Sequence, residues 1–203
     1  MLTDRFLRTT IPWAEKTEIL INELTSINPE IKVDGIDRIL DFDEAKQYIQ
    51  WADIVVASAD DYAYSTHLIN TSQQLDRPCL CVIPTGLWAQ VHFVLPKHSN
   101  INFMESIPRF ETYEEIKEFY KSKMFRYGVK DRYYDSGRWR KEIYQDYLDS
   151  GFSVPQIGPL VQLVSSLGAL QIVNYITGKG EVVHSPRYWV IDRGSKIYIN
   201  NAY

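Results

Sequence analysis

The sequence predicts an α/β fold with a mostly parallel sheet and flanking helices, and three observations support this prediction. Residues Ile54–Ala59 and Cys79–Ile83 form two continuous apolar runs, as parallel strands do when helices cover both of their faces. An amphipathic segment at about Tyr64–Leu75 lies between the two runs and predicts a helix, which completes a β-α-β unit. Helical and extended patterns also alternate elsewhere in the chain, which is typical of α/β domains.

Further helices and strands are expected on both sides of this unit. The helices are expected at Pro12–Ile27, at Asp43–Trp51 and from Pro155 or Pro159 to Thr177, and the strands at Ile31–Ile36, from Trp88 onward, at Tyr188–Asp192 and at Lys196–Asn200. The strand at Trp88 alternates apolar and polar residues, which favours an antiparallel strand with one wetter face. Gly178 is a typical residue at a helix C-terminus, so it is expected to end the long helix. The last two strands are expected to form a C-terminal β-hairpin.

Residues 97–154 differ in character and are interpreted as a helical insertion into a single domain of residues 1–203. The insertion is rich in Tyr, Lys and Arg, and helices are predicted at about Thr112–Tyr127 and Trp139–Leu148. Alternating aromatic and basic side chains can hold single-stranded nucleic acid. Acidic residues are interspersed among them, which favours a solvated face or a protein-contact surface instead.

Composition excludes several classes of protein. The chain has 203 residues, 45% of them hydrophobic, and a formal net charge of -4, which argues against binding to nucleic acid. It opens without a secretory leader, so a cytoplasmic location is expected. The uncharged run Ile157–Val173 is short and interrupted by polar residues, which predicts a buried helix rather than a membrane span. Cys79 and Cys81 alternate along one strand and are expected to be reduced core residues, not zinc ligands or a disulfide.

Asp60 and Asp61 directly follow the first strand of the β-α-β unit. Ligands of such sheets bind at the carboxyl ends of the strands, so a nucleotide or its metal ion would lie beside these carboxylates. Asp is also a common N-cap residue, so either residue could instead cap the following helix. Spacing alone leaves both interpretations open.

Several segments, in this order and spacing, resemble the ThiF/MoeB/HesA family, the bacterial relatives of ubiquitin-activating enzymes. The segments are a helix followed by I-N-P-E-I-K-V, then A-D-I-V-V-A-S-A-D-D, then R-P-C-L-C-V-I-P-T-G-L-W-A-Q-V, and a late helix with G-A-L-Q that ends at T-G. The resemblance implies a Rossmann-like sheet and a homodimer. It also implies ATP- and magnesium-dependent adenylation of the C-terminal carboxylate of a ubiquitin-like carrier protein or a peptide.

The resemblance assigns roles to three residues of this chain. Arg5 in T-D-R-F-L matches the family's phosphate-approaching arginine, and Lys16 matches its phosphate-binding lysine. Cations at these positions would neutralise the charge that develops at the α-phosphate during adenylation. Asp60 matches the family's magnesium ligand, and one carboxylate suffices as the protein's share of such a site. Arg5 and Lys16 could equally be ordinary surface cations.

The sequence also departs from the family in ways that affect its expected activity. It contains no G-x-G-x-x-G turn, whose backbone amides bind nucleotide phosphates. It has no paired C-x-x-C motifs, so no structural zinc is expected, and no cysteine after Cys81 to act in thioester or persulfide chemistry. An NAD-dependent oxidoreductase is disfavoured because the dinucleotide fingerprint is absent.

Two functions remain open at this point, and the sequence leaves enzymatic activity undecided. In the first, the chain is an adenylyltransferase module that is incomplete by itself, and a separate chain supplies the glycine-rich half-site. In the second, it is a non-catalytic relative that acts as a protein-binding or partner subunit. In both, the partners expected are proteins or peptides, with neither nucleic acid nor a membrane involved.

Overall fold

A computed structural model of the chain describes residues 13–59, 62–85, 88–96, 112, 114, 115, 118, 156–192 and 196–201. Four helices and five strands lie in this part of the chain. The helices are α1 (Trp13–Ile27), α2 (Phe42–Trp51), α3 (Tyr62–Gln74) and α4 (Gly158–Thr177). The strands are β1 (Val55–Ala57), β2 (Cys79–Thr85), β3 (Trp88–Val94), β4 (Arg187–Ile191) and β5 (Ile197–Asn201).

The chain forms two compact units, residues 1–44 and 45–203. In the first unit, α1 ends at Ile27 as predicted, and the predicted strand at Ile31–Ile36 is wrong because these residues are irregular. The segment packs its backbone closely on α1: a Cβ atom added at Gly35 would collide with the side chains of Thr17 and Ile21. Contact with a helix therefore replaces strand pairing here.

Helix α2 begins with a capping box at Asp41 and Glu44. The Glu44 amide donates to Asp41 Oδ1 at 2.8 Å, and the Asp41 amide donates to Glu44 Oε2 at 3.2 Å. Arg38 also donates to both carboxylate oxygens of Glu44, at 2.6 and 2.7 Å. These hydrogen bonds, first from Arg38 and then from the Asp41 backbone, lower the pKa of Glu44 to about 2. The sequence prediction of a helix over this segment is confirmed.

The strands form one sheet in the order β1-β2-β3-β4-β5. Strands β1 and β2 pair in parallel, with Val55 opposite Cys79 and Ala57 opposite Cys81, which confirms the β-α-β unit. The predicted antiparallel strand at Trp88 and the C-terminal hairpin are also confirmed. The α/β class with flanking helices is thus confirmed, consistent with a Rossmann-like arrangement around the parallel pair.

The expectation of a mostly parallel sheet is corrected, because the other three described strand pairs are antiparallel. Parallel neighbours need a crossover of a dozen or more residues, usually through a helix. Only α3 provides such a crossover between paired strands in the described part of the chain. Residues 86 and 87 alone separate β2 from β3, and such a short connection allows only an antiparallel hairpin.

Helix α4 covers one face of the sheet over β2 and β3. Val164 and Gly168 are buried in this contact, beside a core that includes Leu80, Val91 and Phe93. The helix ends as predicted at Gly178, whose φ of 64° is the left-handed conformation that glycine adopts without strain. With 20 residues and a mean hydropathy of 1.3, α4 is long and apolar enough to cross a membrane. Only 17% of its apolar window is buried, so the predicted buried helix is found only along the face that packs on β2 and β3.

The opposite face of the sheet is covered by α3 over β1 and β2. Its core contains Ala57, Ile69, Cys79, Cys81 and Ile83. Both cysteines are buried and free, which confirms the prediction that they are reduced core residues. Burial raises the pKa of Cys79 to about 12 and that of Cys81 well above its usual value, so neither thiol ionises readily.

Between residues 97 and 154, the predicted insertion, the structure describes only residues 112, 114, 115 and 118. Most of the first predicted helix and all of the second lie outside the described residues. At the predicted start of the first helix, the Glu115 amide donates to Thr112 Oγ1 at 3.2 Å. The Thr112 amide donates in turn to Glu115 Oε2 at 3.4 Å. This reciprocal pair is the capping box of a helix N-terminus and agrees with the predicted start.

Gln171 on α4 binds the backbone of the segment that connects α4 to β4. Its replacement by leucine should destabilise the protein. Its side chain is 2% exposed, and its Oε1 accepts the Val183 amide at 2.7 Å. Gln171→Leu leaves that buried N–H without a partner, so we expect a loss of about 1–3 kcal/mol in the free energy of unfolding. Urea denaturation measures the loss. The matched control is Gln162→Leu, because Gln162 lies exposed on the same helix and should change stability by less than about 0.5 kcal/mol.

Candidate functional site

The candidate site lies at the carboxyl ends of the parallel strands β1 and β2. Strand β1 ends at Ala57, which pairs with Cys81, and β2 continues beyond that pair to Thr85. Past Ala57, the chain passes through the exposed residues Ser58 and Ala59 to the start of α3. In open α/β sheets, ligands bind beside the carboxyl ends of the strands.

A hydrogen bond from Ser65 connects the beginning of α3 to the residues that follow β1. The Ser65 hydroxyl donates to the backbone oxygen of Ala59 at 3.0 Å, and the residue is 8% exposed. Thr66 beside it is 6% exposed, so two hydroxyl-bearing residues are buried in the second turn of the helix. The bond fixes the carbonyl of Ala59, the last described residue before Asp60.

Sequence reasoning did not single out Ser65. Its signal is weak, since a serine near a helix N-terminus is usually read as a capping residue. Here the serine lies inside the helix and reaches back to a carbonyl of the preceding strand end. Only the fold reveals that relationship.

Of the predicted site residues, the structure describes only Lys16. Arg5, Asp60 and Asp61 lie outside the described residues. Lys16 is described: it is exposed, one turn into α1, in the unit formed by residues 1–44. The role that the resemblance gives to each of these residues stays a prediction.

The described residues contain no metal-binding cluster. No three or more His, Cys, Asp or Glu side chains are grouped there in a way that could hold a metal ion. The buried thiols of Cys79 and Cys81 are also poor nucleophiles, because burial keeps them protonated.

His67 on α3 gives the domain a predictable dependence on pH. Burial lowers the pKa of His67 from 6.5 to about 4. The unfolded chain therefore binds more protons than the folded chain between these two values, so the free energy of unfolding should fall as pH drops through that window. Above pH 6.5 the contribution of this group should be constant.

Urea denaturation at about pH 7 and pH 5 measures the effect of His67 without interference from Glu44. The stabilising contribution of Glu44 is lost only below its ordinary pKa of 4.5. His67→Gln should flatten the change between the two pH values. A variant that keeps the full pH dependence would show that another group causes it.

A second group of polar side chains lies on the α3 side of the sheet, on β3 to β5. His92 is 8% exposed, stacks on Tyr188 at 4.3 Å between ring centroids, and has its Nε2 2.8 Å from Gln90 Oε1. Because an amide oxygen only accepts, Nε2 carries the proton and donates it to Gln90. Asn200 Nδ2 donates to the Tyr188 hydroxyl at 3.0 Å, which extends the group to β5. This arrangement stabilises the pairing of the three antiparallel strands.

Comparison with known proteins identifies the family. The sequence profile of the ThiF family matches residues 12–200 of the chain. The chain belongs to the ThiF family. The resemblance inferred from the sequence is thereby confirmed, and the match includes Lys16, Asp60 and both core cysteines but not Arg5. No curated protein matches this ThiF family member significantly in sequence.

Solved structures share the fold of this ThiF family member. Escherichia coli MccB is 18% identical, with a TM-score of 0.55, over 92% of this chain and 47% of MccB. MccB with MccA-N7isoASN is 19% identical, with a TM-score of 0.60, over 92% of this chain and 48% of that chain. PaaA is 11% identical, with a TM-score of 0.61, over 93% of this chain and 55% of PaaA. The chain thus spans about half the length of these structures.

Proposed function

We propose that this chain is a module of a ThiF-type adenylyltransferase that activates the C-terminal carboxylate of a peptide or ubiquitin-like carrier protein. The observation that carries the proposal is the family match over residues 12–200, joined to the parallel β1-α3-β2 unit that it requires. MccB has been solved with ATP and with MccA, which supports ATP and a peptide as the ligands. A cytoplasmic location, where ATP is available, is part of the proposal.

The proposed reaction joins a carboxylate to the nucleotide. A carboxylate oxygen attacks the α-phosphorus of ATP, the bond between the α-phosphorus and the bridging oxygen of the β-phosphate breaks, and pyrophosphate leaves with the electron pair. An acyl adenylate is formed. Arg5 and Lys16 are proposed to stabilise the negative charge on the phosphates, and Asp60 is proposed as the protein's ligand for magnesium, which when bound neutralises phosphate charge.

We propose further that the nucleotide site is completed by residues outside this sequence. The backbone amides of a glycine-rich turn each contribute on the order of 1 kcal/mol or more to binding a charged ligand, and this sequence contains no such turn. The isolated chain should therefore bind ATP weakly and show no turnover. A chain that supplies the glycine-rich half-site should restore both.

Pyrophosphate exchange with ATP and magnesium tests the proposal. The probes are peptides with a free C-terminal carboxylate and the same peptides as C-terminal amides, with and without a chain that carries the glycine-rich half-site. Exchange should require the carboxylate and should be lost in Asp60→Ala. The matched control is Asp53→Ala, because Asp53 is exposed at the amino end of β1, away from the proposed site.

Two outcomes of this experiment would contradict the proposal. Exchange that Asp60→Ala leaves unchanged would refute the site assignment. Absence of exchange under every condition, with tight binding to an intact activating enzyme, would identify a non-catalytic partner subunit instead.

We also propose that the chain forms a homodimer through the outer face of α4. Leu163, Leu170, Val173 and Ile176 are between 44% and 68% exposed there, whereas the opposite face of the helix packs on the sheet. Contiguous exposed apolar surface of this kind usually marks a protein interface. Light scattering should give a dimer mass, and Leu170→Glu should reduce it to the monomer mass, with Gln47→Glu at an exposed position of α2 as the control. A monomer at high concentration of the wild-type chain would contradict the proposal.

A further inference from the structure

Strand β5 is an edge of the sheet that lacks the usual protection against further pairing. Within the described residues, β5 pairs with β4 and with no other strand. All five of its residues are exposed, and Ile197 and Ile199 are 49% and 38% exposed. Natural edge strands are commonly protected by proline, bulges or inward-pointing charges. Here the pairing with β4 is regular from Ile197 to Asn201, and the strand itself carries no charged residue.

The hydrogen bonds of β4 show which backbone groups of β5 point outward. The Asp192 amide donates to the Lys196 oxygen at 3.0 Å. Since bonded and non-bonded pairs alternate in an antiparallel ladder, Tyr198 and Asn200 also direct their amide and carbonyl groups to β4. Ile197, Ile199 and Asn201 therefore direct theirs to the outer edge.

The open part of this edge is short. The Asn201 amide is already taken by Asn200 Oδ1 at 3.0 Å, which ends the outer ladder there. Within the described part of the chain, the amide and carbonyl groups of Ile197 and Ile199 have no partner and are available for pairing. Four hydrogen bonds with one added strand would satisfy them.

The side chains of β5 define what kind of strand would fit. Ile199 lies opposite Trp189, on the face of the sheet that α4 covers, and Ile197 lies on the same face. Tyr198 points to the other face. A strand added beside β5 would place alternate residues next to the two isoleucines, where apolar side chains gain most from pairing.

We propose that the outer edge of β5 binds an extended peptide segment with apolar residues at alternate positions, which adds to the sheet as a further strand. This goes beyond the proposed function, because it requires neither ATP nor a carboxylate. A second copy of the chain fits less well. A five-residue strand is about 17 Å long. The area that a second copy would bury along so short a strand is much smaller than the roughly 800 Å² per partner of a stable interface.

Amide hydrogen exchange in the full chain tests the proposal. The probe is a capped seven-residue peptide of alternating valine and threonine, N-methylated on one edge so that it cannot assemble with itself. With saturating peptide, exchange at Ile197 and Ile199 should slow at least tenfold. The Tyr198 amide should be protected with and without peptide, because it already bonds to β4.

Ile199→Pro provides the decisive variant. It removes one outward amide, and it spares the ladder to β4 because that ladder does not use this amide. Peptide affinity should fall at least tenfold with little change in melting temperature. The matched control is Tyr198→Thr, which should bind as the wild type does.

Three results would overturn the proposal. The first is peptide binding that Ile199→Pro leaves unchanged. The second is protection from amide exchange that appears away from β5. The third is protection of the Ile197 and Ile199 amides that rises with protein concentration in the absence of peptide. The last result would identify a second copy as the occupant. If Ile199→Pro does not fold, the exchange pattern of the wild-type chain decides.

Discussion

Replacing Gly168 by leucine should lower the free energy of unfolding by about 2–3 kcal/mol, since this residue lets α4 lie close to the sheet. A Cβ added at Gly168 would lie 3.0 Å from Val82 Cγ2 and 3.1 Å from Leu80 Cδ2. Leucine would place three further carbon atoms in that space and push the helix away from β2. The better helix propensity of leucine offsets only about 1 kcal/mol of this cost.

Ala169→Leu is the matched control for Gly168→Leu. Ala169 is the next residue of α4 and is exposed, so leucine there meets no neighbouring strand. Its effect should remain below about 0.5 kcal/mol. Urea denaturation of both variants measures the difference, and equal stabilities would show that the close approach at Gly168 is unimportant.

Phe93→Ala should cost about 3–5 kcal/mol, because the largest fully buried side chain of the described core would be replaced by a cavity. Phe93 is 0% exposed and lies in the core beneath α4. Its ring meets that of Tyr175 edge to face, with 5.3 Å between the centroids. The surrounding strands are held by their ladders and cannot close the cavity.

Two measurements separate the cavity from the ring contact. Tyr175→Phe keeps the aromatic pair and should change stability by less than about 0.5 kcal/mol. A double-mutant cycle of Phe93→Ala with Tyr175→Ala should give a coupling of about 0.5–1.5 kcal/mol, which is the usual range for aromatic pairs. A cost below 1 kcal/mol for Phe93→Ala would contradict the burial of this residue.

Local patterns predicted the elements that have strong local signals. Apolar runs identified β1 and β2, and the helix between them made their parallel pairing the expected arrangement. Gly178 identified the end of α4 within one residue. The Asp41 and Glu44 capping box explains why α2 begins at Phe42, one residue before the predicted start.

The candidate site was less predictable than the fold. The position of the strand ends followed from the β-α-β pattern, and family resemblance supplied Arg5, Lys16 and Asp60 as candidates. The bond from Ser65 to Ala59 joins residues on different elements, so no local pattern indicates it. Which backbone groups of β5 face outward follows from its register with β4 and could not be read from its composition either.

The sequence by itself determined the class of the fold, the parallel β1-α3-β2 unit, the C-terminal hairpin and the membership of the ThiF family, because these depend on periodicity, connection length and motifs. It predicted a mostly parallel sheet, and only the structure established that most described strand pairs are antiparallel. Tertiary structure alone decided that residues 31–36 pack on α1 through Gly35, that α4 approaches β2 at Gly168, and that β5 leaves one edge open. These features depend on which surfaces meet after folding. An apolar segment has the same local pattern whether a strand, a helix or solvent lies beside it, so only the assembled structure distinguishes them.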